Sequence, residues 1–237
     1  MRVSTAGAPG DVRERHELLR GVVYERRDGS VALRLDAPWQ VLSSAVLGGG
    51  RRHARGVVNL RVPATYSCDR PERTLRDAAR ALGLSGPVVG LMTAVDLAQT
   101  RIVAGQAGRA SVRAVITVGL RNASRPGEPA VAAPGTINTI FLCDAPLREA
   151  AAVELAMLLA EAKAATLIES GLRTSSGRRV SGTSTDAAAI LWRRTGVPEI
   201  RHAGAATELG ELAGRIMAEA IESIVARMGA QIPSEPR

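Results

Sequence analysis

Lysine is almost missing from this chain. Of 31 basic side chains in 237 residues, 30 are arginine and one, Lys163, is lysine. No Gly-Lys-Ser/Thr string occurs, so a P-loop is excluded. Aromatics are nearly as scarce: Tyr24, Trp39, Tyr66, Phe141 and Trp192 are all there are. None interleaves with a basic run, which leaves no stacking platform for bases. The formal charge of +8 would otherwise suit an anionic partner. The arginines are dispersed, however, and the largest groups are Arg51-Arg52 with Arg55 and Arg178-Arg179. No nucleic-acid partner is expected. RNA binding through arginine stays only as a contrasting class, recognisable by steep salt dependence.

Other absences narrow the class further. Two cysteines, Cys68 and Cys143, make no disulfide framework and read as free thiols in a reducing compartment. No apolar run reaches the roughly 18–20 residues of a membrane span. The longest, over 150–168, is interrupted by Glu154, Glu161 and Lys163. Residues 1–10 lack the apolar core of a signal peptide, so the chain reads as cytoplasmic, with no membrane partner. Gly48-Gly49-Gly50 is followed by His53 where a dinucleotide fingerprint needs glycine. His16-Glu17 meets Arg20 where a zincin needs histidine, and no Gly-x-Ser-x-Gly elbow exists. Three separated histidines, His16, His53 and His202, give no metal-ligand spacing.

What is present is an ordinary globular core, with 46 % hydrophobic residues. Flexible tails over 1–10 and 229–237 are expected to flank one domain, 11–228. Strands are predicted over 18–27 and 30–36, joined by Asp28-Gly29 as a type I′ hairpin, with Val31, Leu33 and Leu35 on one face. Further strands are predicted over 40–47, 54–62, 88–93, 101–106, 112–120, 135–143 and 178–192, with a Pro/Gly loop over 124–134. Asp69 and Glu72 read as a capping box with Pro71 in the first turn of a helix that Gly83 stops. The stretch 147–170 is apolar nearly all round and reads as a buried central helix. A last amphipathic helix runs over 207–228. The fold class is α+β, a single domain with a largely antiparallel or mixed sheet.

Chemistry is suggested by small polar residues beside glycine at strand ends. These are Ser43 and Ser44 before Gly49, then Asn59, Thr93, Asn122, Gly135-Thr136-Ile137-Asn138 and Gly182-Thr183-Ser184-Thr185-Asp186. Glycine lets backbone approach a ligand, and Ser, Thr and Asn supply directional hydrogen bonds, which suits an amide-rich ligand. The same residues also make turns and caps. At 100° per residue, Lys163 projects near Ala152, Ala156, Ala160 and Leu167, and Glu161 points the other way. A lysine on a small-residue stripe is partly desolvated and a candidate base, or a salt-bridged structural residue. Asp186 is its natural partner.

In their order, Leu42-Ser43-Ser44-Ala45-Val46-Leu47-Gly48-Gly49-Gly50, Asn59, Gly90-Leu91-Met92-Thr93-Ala94, Thr117-Val118-Gly119-Leu120-Arg121-Asn122-Ala123, Gly135-Thr136-Ile137-Asn138-Thr139-Ile140, Glu161-Ala162-Lys163-Ala164-Ala165, Gly182-Thr183-Ser184-Thr185-Asp186 and Ala203-Gly204 resemble the adenosylcobinamide amidohydrolase family. The resemblance covers roughly residues 40–225. It implies a corrinoid salvage hydrolase that cleaves the amide between the corrin side chain and aminopropanol. The products would be adenosylcobyric acid and 1-aminopropan-2-ol. Cobalt would belong to the corrinoid substrate, and no protein cofactor is implied. A non-catalytic corrinoid carrier or sensor is the alternative, and homo-oligomerisation is left open.

For such a hydrolysis the residues suggest Lys163 as base or proton shuttle, held by Asp186 or Glu161. Thr183, Thr185 or Ser44 would attack or position water. Ser43, Gly49, Asn59, Thr93, Asn122, Thr136, Asn138 and Glu161 would bind the substrate. Metal-assisted hydrolysis through Asp96, Asp186, Glu161, His53 and His202 is a second route with less spacing support.

Overall fold

The computed structural model describes residues 11–129, 133–196 and 198–230. The expected tail over 1–10 and most of that over 229–237 lie outside these. Residues 229 and 230 belong to the backbone of the last helix.

The opening segment is a meander. Strands β1 (Val12–Leu19), β2 (Val22–Arg27) and β3 (Ser30–Ser43) pair antiparallel in sequence order. The strand expected over 18–27 is therefore split. Gly21, at φ +78°, makes a turn between β1 and β2, and a Cβ there would strike the Asp36 carboxylate. The Asp28-Gly29 hairpin forms, with Arg27 opposite Ser30. It is not the type I′ turn, which needs positive φ at both central residues. Only Gly29 has one, at +85°. Strands expected separately over 30–36 and 40–47 fuse into β3, whose pairing with β4 (Gly50–Arg61) is irregular between Arg34 and Trp39.

Helix α1 (Pro71–Ala81) follows, with Pro71 in its first turn. The capping box does not form. Arg70 occupies the N-cap with no side-chain cap bond, and Gly83 at φ +67° ends the helix as expected. Strand β5 (Val88–Thr93) runs parallel to β4. A short 3-10 turn (Leu97–Gln99) precedes the hairpin β6 (Arg101–Ala107) and β7 (Ala110–Val118). Next come β8 (Ala123–Ser124), β9 (Ile137–Cys143) and α2 (Glu149–Glu169). The segment expected as one strand over 178–192 splits into β10 (Gly182–Thr183), paired with β8, and β11 (Ala187–Trp192). Helix α3 (Glu208–Ala230) closes the chain. The Thr207 hydroxyl accepts from Gly210 N–H at its start.

The sheet order is β1-β2-β3-β11-β9-β7-β6, with β4 and β5 branching from β3. Two strand–helix–strand crossovers, β4–α1–β5 and β9–α2–β11, make its parallel pairs among the described residues. This mixed, curled sheet with the three α-helices among the described residues is α+β. One apolar cluster lies between the sheet and α2 with α3, a second fills the curl and holds Val31, Leu33 and Leu35, and a third sits beneath α1.

Helix α2 is not buried on all sides. It packs through Ala151, Ala152, Leu155, Leu159 and Leu167, and leaves Val153, Met157 and Ile168 exposed. An all-round apolar helix carries no periodic signal of which face will be covered.

One carboxylate is buried among the strands. Glu25 is 4 % exposed and is bonded by Arg27, with Arg34 and Arg15 nearby. Burial alone would raise its pKa, but the Arg27 hydrogen bond and the charges of Arg27, Arg34 and Arg15 together hold it below the usual carboxylate range. A depressed carboxylate stabilises the fold above the unfolded pKa and loses that contribution as pH falls through the folded one. Glu25→Gln is expected to cost about 1–3 kcal/mol at pH 7. The gap between variant and wild type should shrink on acidification below about pH 4, as denaturant titrations at both pH values would show.

Candidate active site

The starts of β9 and β11, the end of β3 and the inner face of α2 meet at one edge of the sheet. Asp186 lies just before β11. Its Oδ1 accepts from Ile137 N–H at 3.0 Å and from the Thr183 hydroxyl, and its Oδ2 accepts from Thr183 N–H at 3.1 Å. Lys163 on α2 donates its Nζ to the same Oδ2 at 2.5 Å. The pair's side chains are 18 % and 16 % exposed, and of the two partners weighed for Lys163, Asp186 and Glu161, it is Asp186 that meets it. The local sequence permits it because residue 182 is glycine. A Cβ there would come within 2.7 Å of Asp186 Oδ2.

Beside the pair is a cavity of about 410 Å³. Its polar lining comes from Ser43, Ser44, Thr139, Lys163 and Asp186, and most of the remaining wall is apolar. Ser43 Oγ is engaged twice, donating to Ala188 O at 2.8 Å and accepting from Ala45 N–H at 3.0 Å. Ser44 Oγ accepts from Ala188 N–H at 3.0 Å, which leaves its own proton free for the cavity.

The other candidates build the frame around this pair. Thr136 donates to Thr185 O at 2.7 Å, and Thr185 donates to Gly135 O at 2.7 Å. Asn122 Nδ2 bonds Ser184 Oγ at 2.9 Å and Thr185 Oγ1 at 3.2 Å. Asn138 Nδ2 reaches Asn59 Oδ1 at 2.9 Å and Met92 O at 2.8 Å, and Asn59 in turn donates to Thr117. These asparagines tie β4 and β5 to β7 and β9 across the curl. Asn59, Asn122, Thr136 and Asn138, read from the sequence as substrate contacts, are buried and bonded to neighbouring strands and loops, and Asn122 Oδ1 has no hydrogen-bond partner among the described residues. Thr93 Oγ1 accepts from Val95 N–H. Gly49 sits in a loop where a Cβ would lie 2.8 Å from Ala45 O. Glu161 is exposed on α2 and does not line the cavity.

Nor do the five residues weighed as metal ligands converge. Among the described residues no three of His, Cys, Asp or Glu form a group able to hold a metal ion. Asp96 caps the 3-10 turn by accepting from Ala98 N–H at 3.1 Å. His202 pairs with Glu154 at 3.5 Å. The Glu154 carboxyl is held below its usual range chiefly by Ala203 N–H. Cys68 is exposed, and burial pushes the Cys143 thiol up to about 12.

Two features at this end of the sheet have no substrate role in the sequence reading. One is Thr139, which alternation places among apolar residues. The other is a second cavity of about 730 Å³ near the ends of β4, β5 and β7, with Arg61, Asp96 and Arg121 in its lining. Its arginines were indistinguishable from the background.

Comparison with known proteins agrees with the resemblance. The sequence pattern of the adenosylcobinamide amidohydrolase family matches residues 15–231. A curated relative, an adenosylcobinamide amidohydrolase of Methanosarcina mazei, is 29 % identical over 196 residues, covering 79 % of this chain and 90 % of its own. Among solved structures, the PH0078 protein of Pyrococcus horikoshii OT3 aligns with a TM-score of 0.43 and 12 % identity, over 90 % of this chain and 81 % of that one.

Proposed function

The chain belongs to the adenosylcobinamide amidohydrolase family, and on that premise we propose that it hydrolyses the amide joining aminopropanol to the corrin ring side chain. The products are adenosylcobyric acid and 1-aminopropan-2-ol, and cobalt enters as part of the substrate. Family membership makes the chain a hydrolase of an amide carbon–nitrogen bond. The observation that carries the site assignment is the Lys163–Asp186 pair at a mainly apolar cavity.

Amide hydrolysis needs charge to meet the developing oxyanion, an activated nucleophile and a proton for the departing nitrogen. Asp186 already accepts four hydrogen bonds, so its role is to hold Lys163. The lysine keeps further N–H donors for the carbonyl oxygen. Of the three hydroxyl candidates, Thr183 donates to Asp186 and Thr185 donates to Gly135 O. Ser44 keeps its proton and lines the cavity. Water adds to the carbonyl carbon, Lys163 stabilises the oxyanion, and a water proton passes through the Ser44 hydroxyl to the nitrogen. The carbon–nitrogen bond then breaks to acid and amine.

Incubation of the purified protein with adenosylcobinamide, followed by chromatography, tests this. Equal amounts of adenosylcobyric acid and 1-aminopropan-2-ol are expected. A carrier or sensor would return the corrinoid intact.

A further inference from the structure

On the face that β9 turns toward the helices, Ile137, Phe141 and Cys143 are buried apolar side chains. Thr139 takes the position between Ile137 and Phe141 and is 4 % exposed. Valine has the same shape there and no hydroxyl to satisfy. Among the described residues the Thr139 hydroxyl has one hydrogen-bond partner, the Met217 sulfur at 3.9 Å. A thioether is a weak acceptor. A buried hydroxyl so poorly paired destabilises a fold unless another group bonds it. This one lines the cavity that Lys163 and Asp186 border.

We infer that this cavity receives the departing amine and that Thr139 recognises its hydroxyl. The inference rests on the hydrolysis reading above, and adds which part of the substrate enters. At about 410 Å³ the cavity has the volume of roughly 14 waters at ~30 Å³ each. That is ample room for the five heavy atoms of the amino alcohol and too little for an amide-fringed macrocycle, which stays outside. Lys163 meets the carbonyl at the polar side. Ala156, Ala160, Ile190 and Met217 offer apolar wall to the arm's carbon chain. Thr139 is therefore a substrate-binding residue whose hydroxyl separates a 2-hydroxypropyl arm from a propyl arm.

The test compares two corrinoid amides, one with the 2-hydroxypropyl arm and one with a propyl arm. Wild type is expected to favour the first in kcat/KM by about tenfold or more. Thr139→Val should collapse that preference to within about threefold, and Thr139→Ser should retain most of it. Thr139→Val should also raise the thermal midpoint by about 2–4 °C, because it removes a poorly paired hydroxyl and keeps the shape. A structural hydroxyl would give the opposite shift. Unchanged discrimination in Thr139→Val overturns the inference, as does a lowered midpoint with equal losses on both amides. If wild type cleaves neither amide, the hydrolysis reading fails, and the cavity is judged by the Met217 methyl signal in NMR. A larger shift with 1-aminopropan-2-ol than with propylamine supports the assignment. Equal shifts, or none, contradict it.

Discussion

Lys163→Met is expected to lower kcat by about 10²–10³-fold while corrinoid affinity stays within about threefold. Methionine keeps the length and apolar stem of lysine. It can lie along the small residues of α2 without leaving a hole. Asp186 retains Thr183 N–H, the Thr183 hydroxyl and Ile137 N–H, so the turn before β11 survives. What disappears is the ammonium at the cavity. Lys163→Arg keeps charge but spreads it over a larger planar fork, and is expected to recover little. Steady-state rates with a separate corrinoid titration decide the matter. Activity within a few-fold of wild type would make Lys163 a structural residue.

Asp186→Asn is expected to damage both rate and stability. The amide nitrogen of asparagine would face donors on at least one side, since every recorded partner of Asp186 is an N–H or O–H. Lys163 would lose its anchor while only 18 % exposed. A fully buried pair broken this way costs about 3–5 kcal/mol, and the residual exposure brings the expected loss to about 2–3 kcal/mol. The thermal midpoint should fall by about 5–10 °C for a chain of this size. Turnover should fall by about 10²-fold through loss of the lysine's position. A variant that unfolds earlier but turns over normally when folded would leave Asp186 with stability alone.

The candidate site is marked in the sequence because two independent signals meet at Lys163. Its chemistry stood out against thirty arginines, and helix geometry put it on a stripe of alanines. Both leave open which of Asp186 and Glu161 holds it, and the fold supplies Asp186. Ser44 was readable as a small polar residue at a strand end, and the structure leaves its proton unspent. Asn59 and Asn138 were readable as polar but not as to destination. Their bond joins β4 to β9 across 79 positions, and only the curl of the sheet supplies it. Glu161 shows the limit of proximity in sequence, since two positions along a helix put it on a different face from Lys163.

Strands were legible where alternation was clean and glycine marked their ends. Strand β5 forms over the residues predicted, and β2 ends at the Asp28-Gly29 turn. Errors arose where a local signal competed with tertiary pairing. Asp69 and Glu72 have capping-box spacing, yet Pro71 sets the helix start at the next residue and Arg70 becomes the cap. Helix α2 looked uniformly apolar, and which side would be covered depended on α3 and the sheet. No described helix is long and apolar enough to cross a membrane.

The central claim is hydrolysis of the corrinoid side-chain amide at the Lys163–Asp186 cavity. Its most direct measurement is turnover of adenosylcobinamide in ¹⁸O-labelled water, with mass spectrometry of both products. The account predicts one ¹⁸O in the new carboxyl of adenosylcobyric acid, none in the released 1-aminopropan-2-ol, and both products forming about 10²–10³-fold more slowly with Lys163→Met. Corrinoid that binds the wild-type protein and is recovered unlabelled and intact would contradict it.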